Sequence, residues 1–226
     1  MSADPPGGEA ARLRAGAARL GVPLDARQLE QLGMLAAELL RWNKAYNLTA
    51  ITDPAEVLTH HLLDSLSVQP DLTGERIADV GTGAGFPGLP LAIVNPQRRF
   101  TLIDAVDKKL RFIDHAVRTL GLDNVITRHV RVEQWQPERA FDTVIARAFA
   151  PLPRMLQWVA PLCDAHTIVL AMVGRWPPPD APPVQCAPPA DWRLLAERGI
   201  QVPGLAAERH VLRLQRALGD TRGSLP

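Results

Sequence analysis

The spacing of apolar residues divides the chain into two regions. Up to about residue 70, apolar positions recur every three or four residues, which is typical of helices with one buried face. The clearest stripe is formed by Leu29, Leu32, Leu35, Leu39 and Leu40. Asp25 and Asp53 suit helix N-caps, and Pro54 suits a first turn. The predicted helices are Ala10–Leu20, Asp25–Trp42 and one from Asp53 through Leu66.

From Arg76 onwards the pattern changes to short apolar runs separated by helical stretches. Strands are predicted at 76–80, 99–103, 124–130, 141–146 and 166–172, and helices at 86–94, 107–120 and 152–161. Strands separated by helical patterns of this length form a parallel sheet with helices on both faces. The predicted fold class is therefore α/β, with a doubly wound, mostly parallel sheet.

The last part of the chain predicts a hairpin at the end of this sheet. A proline-rich run begins at Trp176, and residues 176–190 are assigned to a stiff loop because proline interrupts helices and central strands. Strands are then predicted at Trp192–Val202 and Glu208–Gln215. A tight turn at Pro203-Gly204 would join them into an antiparallel pair.

These patterns divide the chain into three parts. Residues 1–8 combine acidic residues, glycine and proline and are expected to form a disordered tail. Residues 9–70 are expected to form a helical extension that packs on the core. Residues 71–218 are expected to form the α/β domain, with the proline-rich loop inside it.

Composition narrows the possible functions only modestly. The chain has 226 residues, of which 46% are hydrophobic, and a formal net charge of +1. It has neither an apolar run of the ~20 residues that span a membrane nor a secretory signal, so a cytoplasmic location is expected. Cys163 and Cys186 match no metal or redox spacing, and no metal is expected. The small net charge does not by itself indicate a nucleic-acid partner, although a local basic patch is enough to bind one.

The most informative segment is a glycine-rich turn after the first predicted strand. Gly83 to Gly88 fits the dinucleotide pattern G-x-G-x-x-G. The strand, however, ends at Val80, so the turn begins at Gly81 and contains glycines at 81, 83 and 85. In dinucleotide-binding proteins the first glycine of the pattern directly follows the strand. An acidic residue at the strand end followed by G-x-G-x-G is instead typical of methyltransferases that use S-adenosylmethionine.

Polar residues at the ends of the other strands are consistent with such a cofactor. Asp79 is expected near the cofactor ammonium and Asp104 near the ribose, although an acid in the latter position serves either cofactor. Glu133 follows the third strand, where a methyltransferase contacts adenine. Arg147 ends the fourth strand, and the carboxyl ends of parallel strands face the ligand crevice. We therefore expect Arg147 between cofactor and substrate.

Together these segments resemble one family, the bacterial small-subunit rRNA guanine-N7 methyltransferases, also called RsmG or GidB. Five segments carry the resemblance: Arg41 to Thr49, His61 to Ser65, Asp79 to Pro90, Arg131 to Glu133, and Arg147 to Phe149. The first and third together are highly specific. The resemblance covers roughly Leu29 to Leu214 and implies a class I S-adenosylmethionine-dependent methyltransferase, with a Rossmann-like seven-stranded sheet and an N-terminal helical extension.

The resemblance also implies an activity and a set of site residues. The activity is transfer of one methyl group from S-adenosylmethionine to N7 of a guanosine in 16S rRNA, guanosine 527. By analogy with the family, the cofactor contacts are Gly81, Phe86, Val132, Glu133 and Arg147. Strand and turn geometry extend this set to Asp79, Thr82, Gly83, Gly85 and Asp104. Guanine N7 carries a free lone pair, so Arg147 is expected to orient the reactants rather than abstract a proton, and to be paired, with the cofactor carboxylate as candidate partner.

The candidate RNA contacts are Lys44, Tyr46 and Arg175. Lys44 and Tyr46 fall in a predicted loop, Asn43 to Thr49, where Tyr46 would stack on a base or pack the helical extension. The family usually carries a lysine at the position of Val173, and Arg175 is the candidate replacement. The expected partner is 16S rRNA or the small ribosomal subunit, with the protein acting as a monomer. The alternatives are an NAD-type oxidoreductase that uses Gly83–Gly88 and a non-catalytic RNA-binding module.

Overall fold

The computed structural model describes residues 8–147, 150–179, 182 and 186–217, and it contains a seven-stranded sheet. The strands are β1 Arg76–Val80, β2 Arg99–Asp104, β3 Val125–His129, β4 Thr143–Arg147, β5 Ile168–Val173, β6 Trp192–Ile200 and β7 Arg209–Arg216. Their order is β3-β2-β1-β4-β5-β7-β6. The first five strands are parallel, and β7 runs antiparallel to both β5 and β6. The predicted doubly wound sheet and its terminal hairpin are confirmed.

The strand order reverses between β1 and β4. From β1 the chain proceeds outward to β2 and β3, then returns to the other side of β1 as β4. Ligands of such sheets bind where the order reverses, outside the carboxyl ends of the strands. Val80 pairs with Ala146, so the next residues, Gly81 and Arg147, come to the same level of this edge.

The helices are α1 Glu9–Arg19, α2 Ala26–Tyr46, α3 Pro54–Val57, α4 Asp64–Leu66, α5 Gly88–Val94, α6 Asp107–Leu120 and α7 Leu152–Val159. A π-helical segment, Leu58–Leu63, joins α3 to α4, so the single helix predicted over this region is continuous but wider in the middle. Short 3₁₀ segments lie at Gln69–Asp71, Val132–Gln134 and Ala160–Leu162.

Helix α2 begins where the sequence predicted and ends later than predicted. The Asp25 side chain accepts a hydrogen bond from the Gln28 backbone amide, and the Gln28 side chain accepts one from the Asp25 backbone amide, which forms a capping box. The sequence prediction of a loop from Asn43 was wrong, because the helix continues to Tyr46 and stops only where Asn47 adopts a left-handed conformation, with φ of 47°. Asn43 hydrogen-bonds both backbone groups of Thr49, which fixes the segment that follows. Lys44 and Tyr46 therefore lie on the last helical turn.

The connection between β6 and β7 is also longer than predicted. It spans residues 201–208 rather than a tight turn at Pro203-Gly204. Val202 is buried, and a Cβ at Gly204 would lie 3.5 Å from Thr59. The connection therefore packs close to the π-helical segment.

Two apolar clusters cover the two faces of the sheet. One contains the buried leucines of α1 and α2 together with α5 and α6, and the other contains α7 and the inner face of the hairpin. The predicted division at residue 70 stays a prediction, but the leucine stripe of α2 belongs to the same cluster as strand residues Ile77 and Phe100. Among the described helices, none combines the length and apolar character needed to cross a membrane.

Candidate active site

Two adjoining cavities open at the carboxyl edge where β1 meets β4. The histidine cavity, of about 470 Å³, is lined by Leu48, Thr49, Ile51, His60, His61, Asp64, Gly81–Ala84, Phe86, Arg147, Met172–Gly174 and Arg209. The glutamate cavity, of about 370 Å³, is lined by Val80, Gly81, Ile103–Ala105, Lys109, Val130–Glu133, Arg147 and Trp158. Gly81 and Arg147 line both cavities. Pockets for small molecules commonly have volumes of ~300–1,000 Å³.

The glycine turn has the register predicted from the sequence. Gly81, Gly83 and Gly85 all have positive φ angles, of 67°, 63° and 88°. The turn therefore begins directly after Val80, and helix α5 starts only at Gly88. Glycine reaches this conformation without the steric cost that a Cβ imposes. The turn leaves the backbone of Gly81 and Gly83 facing the histidine cavity.

Asp79 lies beneath this turn and lines neither cavity. One of its oxygens, Oδ2, accepts hydrogen bonds from the Thr82 hydroxyl at 2.6 Å and from the Gly88 amide at 2.8 Å. The other oxygen, Oδ1, is buried without a partner among the described residues. Burial raises the pKa of Asp79 to about 6, and the two hydrogen bonds limit this rise. Asp79 thus stabilises the turn, and the cavity lining begins at the next residue, Val80.

Asp104 occupies the wall of the glutamate cavity. Its Oδ2 accepts from the Gly83 amide and its Oδ1 from the Val106 amide, both at 2.9 Å. Lys109 Nζ lies 3.6 Å from Oδ2. These contacts hold the carboxylate at the cavity in one orientation. They also link the glycine turn to the end of β2.

The far wall of the glutamate cavity comes from the segment after β3. Val132 is buried and supplies an apolar surface together with Ile103. Glu133 is partly exposed, and its carboxylate lies 4.0 Å from the Arg131 guanidinium. The cavity therefore combines apolar side chains with two carboxylates, from Asp104 and Glu133.

A cluster that the sequence did not predict surrounds Asp64. The Asp64 carboxylate is 3% exposed and lies between two arginines, with Arg147 Nη1 3.1 Å from Oδ2 and Arg209 Nε 3.0 Å from Oδ1. Arg147 Nη1 also donates to the His60 carbonyl at 3.3 Å. We call Asp64, Arg147 and Arg209 the Asp64 clamp. Arg147 is paired as expected, through the side chain of Asp64; its pairing with the cofactor carboxylate stays a prediction.

Sequence reasoning missed two of the three clamp residues for different reasons. Asp64 lies inside the segment from His61 to Ser65, where helical periodicity gives a polar residue no particular partner. Arg209 lies on a strand with alternating polarity, and the pattern reveals only which face it occupies. The clamp joins residues 83 and 145 positions apart in the chain. The sequence signal that could have revealed the clamp was that Asp64, which carries a carboxylate, lies within a family motif.

His61 and Phe86 form a stacked pair in the histidine cavity, with ring centroids 4.7 Å apart. His61 Nε2 lies 2.9 Å from the Thr49 hydroxyl, while Nδ1 is buried and without a partner among the described residues. Burial, then the charges of Arg147 and His60, lowers the pKa of His61 to about 4. The imidazole is therefore neutral near pH 7. Phe86 is predicted as a cofactor contact, and the structure shows it on the histidine-cavity side of the turn.

Asp79 and His61 make opposite contributions to the pH dependence of the free energy of unfolding. Asp79 binds its proton more tightly in the folded chain, so its contribution to stability falls as the pH rises from its ordinary pKa of 3.8 to about 6. His61 binds its proton less tightly when folded. Its contribution is present above its ordinary pKa of 6.5 and is lost as the pH falls toward about 4.

Because the two contributions oppose each other, replacing one residue should leave the pH dependence of stability that the other residue imposes. Asp79→Asn keeps an oxygen for Thr82 and Gly88, and it should make stability rise with pH relative to wild type by on the order of 2 kcal/mol between pH ~4 and ~6. His61→Gln should change the slope in the opposite direction. Urea unfolding at several pH values measures both effects. Curves for Asp79→Asn that stay parallel to wild type would contradict a shifted Asp79.

The three candidate RNA contacts lie outside both cavities. Lys44 is exposed, and Tyr46 is 43% exposed with its ring stacked on Trp42 at 5.1 Å. Arg175 is exposed and lies 3.6 Å from the Glu208 carboxylate. Val173, which replaces the usual lysine, lines the histidine cavity. Within the described parts of the chain, no three histidine, cysteine or acidic side chains are grouped closely enough to hold a metal ion.

Comparison with known proteins decides the family. The profile of the GidB family, described as rRNA small subunit methyltransferase G, matches residues 28–185. The chain belongs to this family. It is 45% identical over 192 residues to the ribosomal RNA small subunit methyltransferase G of Aeromonas salmonicida, covering 85% of this chain and 90% of the relative. It is 46% identical over 211 residues to the protein of the same name from Ectopseudomonas mendocina, covering 92% and 97%.

Solved structures support the fold of this member of the rRNA small subunit methyltransferase G family. A SAM dependent methyltransferase from Aquifex aeolicus matches 75% of this chain and 97% of its own, with a TM-score of 0.55 and 18% sequence identity. A likeness at this identity concerns the fold, and the expected class I methyltransferase fold is confirmed.

The family profile and the described structure do not cover the same residues. The profile ends at residue 185, whereas the strand that supplies Arg209 to the Asp64 clamp lies beyond it. Of the family motifs found in the sequence, Ala148 and Phe149 lie outside the described residues, as do residues 1–7 of the tail and part of the proline-rich loop. Each of the remaining family motifs contributes at least one residue to the lining of the two cavities.

Proposed function

We propose that this protein transfers a methyl group from S-adenosylmethionine to N7 of a guanosine in 16S rRNA, guanosine 527 by analogy with its family. One observation carries the proposal. Two cavities adjoin at Gly81 and Arg147 in a chain of the rRNA small subunit methyltransferase G family. One cavity is suited to the cofactor nucleoside, and the other is suited to the reacting ends of cofactor and base.

The residues around the glutamate cavity fit S-adenosylmethionine. Asp104 and Glu133 supply carboxylates for ribose and adenine, and Val132 supplies an apolar wall. On the side of the histidine cavity the glycine turn leaves space, since a Cβ at Gly83 would meet no atom within 4 Å. The unpartnered Oδ1 of buried Asp79 adds negative potential beneath the turn, which favours a cationic ligand. Gly81, Thr82, Gly85 and Phe86 would shape the passage toward the histidine cavity.

The protein needs no general base for this reaction. Guanine N7 presents an unprotonated lone pair in the ring plane, and bound S-adenosylmethionine supplies an electrophilic methyl on a sulfonium. The role of the protein is to hold the two reactants in line and to exclude water. Neutral His61, stacked on Phe86, lines the cavity without adding positive charge beside the base.

Arg147 would act as a positioning residue at the junction of the cavities. The guanine ring becomes positively charged as its N7 is methylated, so an unpaired arginine nearby would oppose the reaction. Asp64 offsets this charge through its contact with Arg147 Nη1 at 3.1 Å. The remaining donors of Arg147 are then available to orient the reactants.

The alternative of an NAD-type oxidoreductase is disfavoured by the start of α5. A dinucleotide places its pyrophosphate at that helix N-terminus. Here the amide of Gly88, the first residue of the helix, donates to the buried carboxylate of Asp79 at 2.8 Å. A carboxylate in that place competes with and repels a phosphate. The family assignment disfavours both this alternative and a non-catalytic RNA-binding module.

Methyl transfer to ribosomal subunits tests the proposal directly. Purified protein is incubated with methyl-labelled S-adenosylmethionine and small subunits from a strain that lacks the gene. We expect label at one guanine. Hydrolysis of the labelled RNA should release this label as the N7-methylated base. Subunits from the parent strain are already modified and serve as the control. Label on adenine or cytosine would contradict the proposed target.

Several features of the working protein remain predictions. They are the small ribosomal subunit as partner, a monomeric state, a cytoplasmic location and independence from metal ions. The role of residues 9–70 as an extension of a domain at 71–218 is likewise a prediction. Lys44, Tyr46 and Arg175 are the proposed RNA contacts, and Arg175 is considered further below.

A further inference from the structure

A third cavity lies beside the histidine cavity, along the hairpin connection. This hairpin groove is open, has a volume of about 760 Å³, and is lined by Arg19, Arg175, Trp176 and residues 199–210. The end of α1, the start of the proline-rich loop and the segment between β6 and β7 form its walls. Among the residues that line the histidine and glutamate cavities, Arg209 is the one that also lines the hairpin groove.

The hairpin groove carries more positive than negative charge. Its walls contain Arg19, Arg175 and Arg209, with Glu208 as the acidic residue among them. Glu208 lies 3.6 Å from Arg175 in an exposed pair, which contributes little to binding strength and is easily exchanged for another anion. Arg19 is exposed at the last turn of α1. Two exposed arginines are thus available for phosphates.

Trp176 adds an aromatic surface to the groove. It packs partly against the apolar cluster beneath α7 and is otherwise accessible. Proteins that bind single-stranded nucleic acid combine a positive groove with aromatic side chains on which bases stack. The hairpin groove has both features within one cavity.

The hairpin groove adjoins the histidine cavity. Arg209 lines both, and Gly174 of the histidine cavity accepts a hydrogen bond from His210 of the groove at 2.9 Å. A strand whose target base enters the histidine cavity would therefore continue along the groove. Recognition of RNA bases commonly uses unpaired, splayed nucleotides, so the flanking nucleotides need such a surface.

We propose that the hairpin groove binds the single-stranded rRNA segment that flanks the target guanosine. Arg19 and Arg175 contact its phosphates, and Trp176 stacks on one base. This assignment rests on the proposed function for the identity of the strand. It also offers a role for Arg175 in a chain that has Val173 in place of the usual lysine.

The test compares Arg19→Ala, Arg175→Ala and Trp176→Leu with Arg27→Ala. Arg27 is a similarly exposed arginine in the first turn of α2 and lines a separate cavity with Ala92, Pro96 and residues 121–124, and Trp176→Leu keeps apolar packing. We expect each groove arginine variant to raise KM for small subunits about tenfold with little change in kcat or cofactor affinity. The slope of log affinity against log salt should flatten by about 0.7 per arginine, as for single strands. Trp176→Leu should weaken binding about tenfold without changing this slope.

A second measurement separates this proposal from the activity. Binding of a fluorescent single-stranded oligoribonucleotide, followed by anisotropy, requires no methylation. If the wild-type protein binds the oligoribonucleotide and the groove variants weaken it, but no methyl transfer occurs, the groove stands and the proposed function fails. If methyl transfer proceeds and the groove variants behave like Arg27→Ala in both assays, the groove proposal is overturned.

Discussion

Replacement of Asp64 by Asn is expected to lower kcat about a hundredfold. The change keeps the shape of the side chain but leaves Arg147 and Arg209 without a carboxylate at the cavity where the methylated guanine becomes positive. Charges ~4 Å apart interact by about 4 kcal/mol near a protein surface, and about 2.7 kcal/mol in the barrier corresponds to a hundredfold. Single-turnover methyl transfer with saturating subunits measures this effect on the chemical step.

Asp64→Asn should also lower the free energy of unfolding by about 2 kcal/mol. Breaking a buried ion pair costs ~3–5 kcal/mol, but Arg147 and Arg209 are 24% and 25% exposed, so solvent reduces this cost. Asp71→Asn is the matched control. Asp71 pairs with Arg198 outside the lining of both cavities, so its loss should affect stability and leave kcat unchanged.

Two further variants distinguish a charge effect from a general disturbance of the site. Arg147→Ala leaves Asp64 paired with Arg209, so we expect a smaller loss of about tenfold in kcat. Adding Arg209→Gln to Asp64→Asn removes one unbalanced positive charge and should recover part of the lost rate. A double variant slower than Asp64→Asn alone would contradict the proposal that Asp64 acts by offsetting charge. Unchanged turnover and cofactor affinity in Arg147→Ala would remove Arg147 from the site.

Gly83→Ala and Gly85→Ala are expected to affect different properties. Gly83→Ala should mainly weaken cofactor binding, and Gly85→Ala should mainly lower the stability of the fold. A Cβ at Gly85 would lie 2.8 Å from Leu89 Cγ, in addition to the strain of a φ of 88°. We expect Gly85→Ala to lower the free energy of unfolding by about 3 kcal/mol, since overpacking and left-handed strain add. Thermal and urea unfolding measure this loss.

Gly83→Ala should lower stability by only about 1 kcal/mol, because its Cβ meets nothing within 4 Å and only its φ of 63° is unfavourable. That open space belongs to the histidine cavity, where the added methyl group would displace a ligand. Titration calorimetry should therefore show S-adenosylmethionine affinity reduced at least tenfold. Unchanged affinity in a folded Gly83→Ala protein would mean that the ligand does not approach this part of the turn.

Much of the fold was predictable because its determinants are local. Apolar periodicity located the strands and helices to within a few residues, and the capping box at Asp25 fixed the start of α2. The same reasoning placed the first turn glycine at Gly81 rather than Gly83. It failed at the end of α2, since Asn43 and Lys44 are compatible with a helix, and the left-handed Asn47 that stops it gives only a weak sequence signal.

The part of the candidate site that lies at or just after the ends of the strands was predictable from the sequence. Asp104 and Arg147 are the last residues of their strands, Glu133 lies four residues after β3, and parallel strands bring their carboxyl ends to one edge. The direction of each side chain was less predictable. Asp79 follows the same rule, yet it turns beneath the glycine turn because the Thr82 hydroxyl and the Gly88 amide bind its carboxylate.

The sequence by itself determined the α/β fold, the register of the glycine turn and the family motifs, because each depends on residues close together in the chain. Only the tertiary structure decided that Asp64 bridges Arg147 and Arg209 and that the hairpin groove joins the histidine cavity. These contacts depend on the order of strands in the sheet and on β7 lying antiparallel beside β5. Residues brought together over such separations share no local pattern, so their partnership appears only when the sheet is assembled.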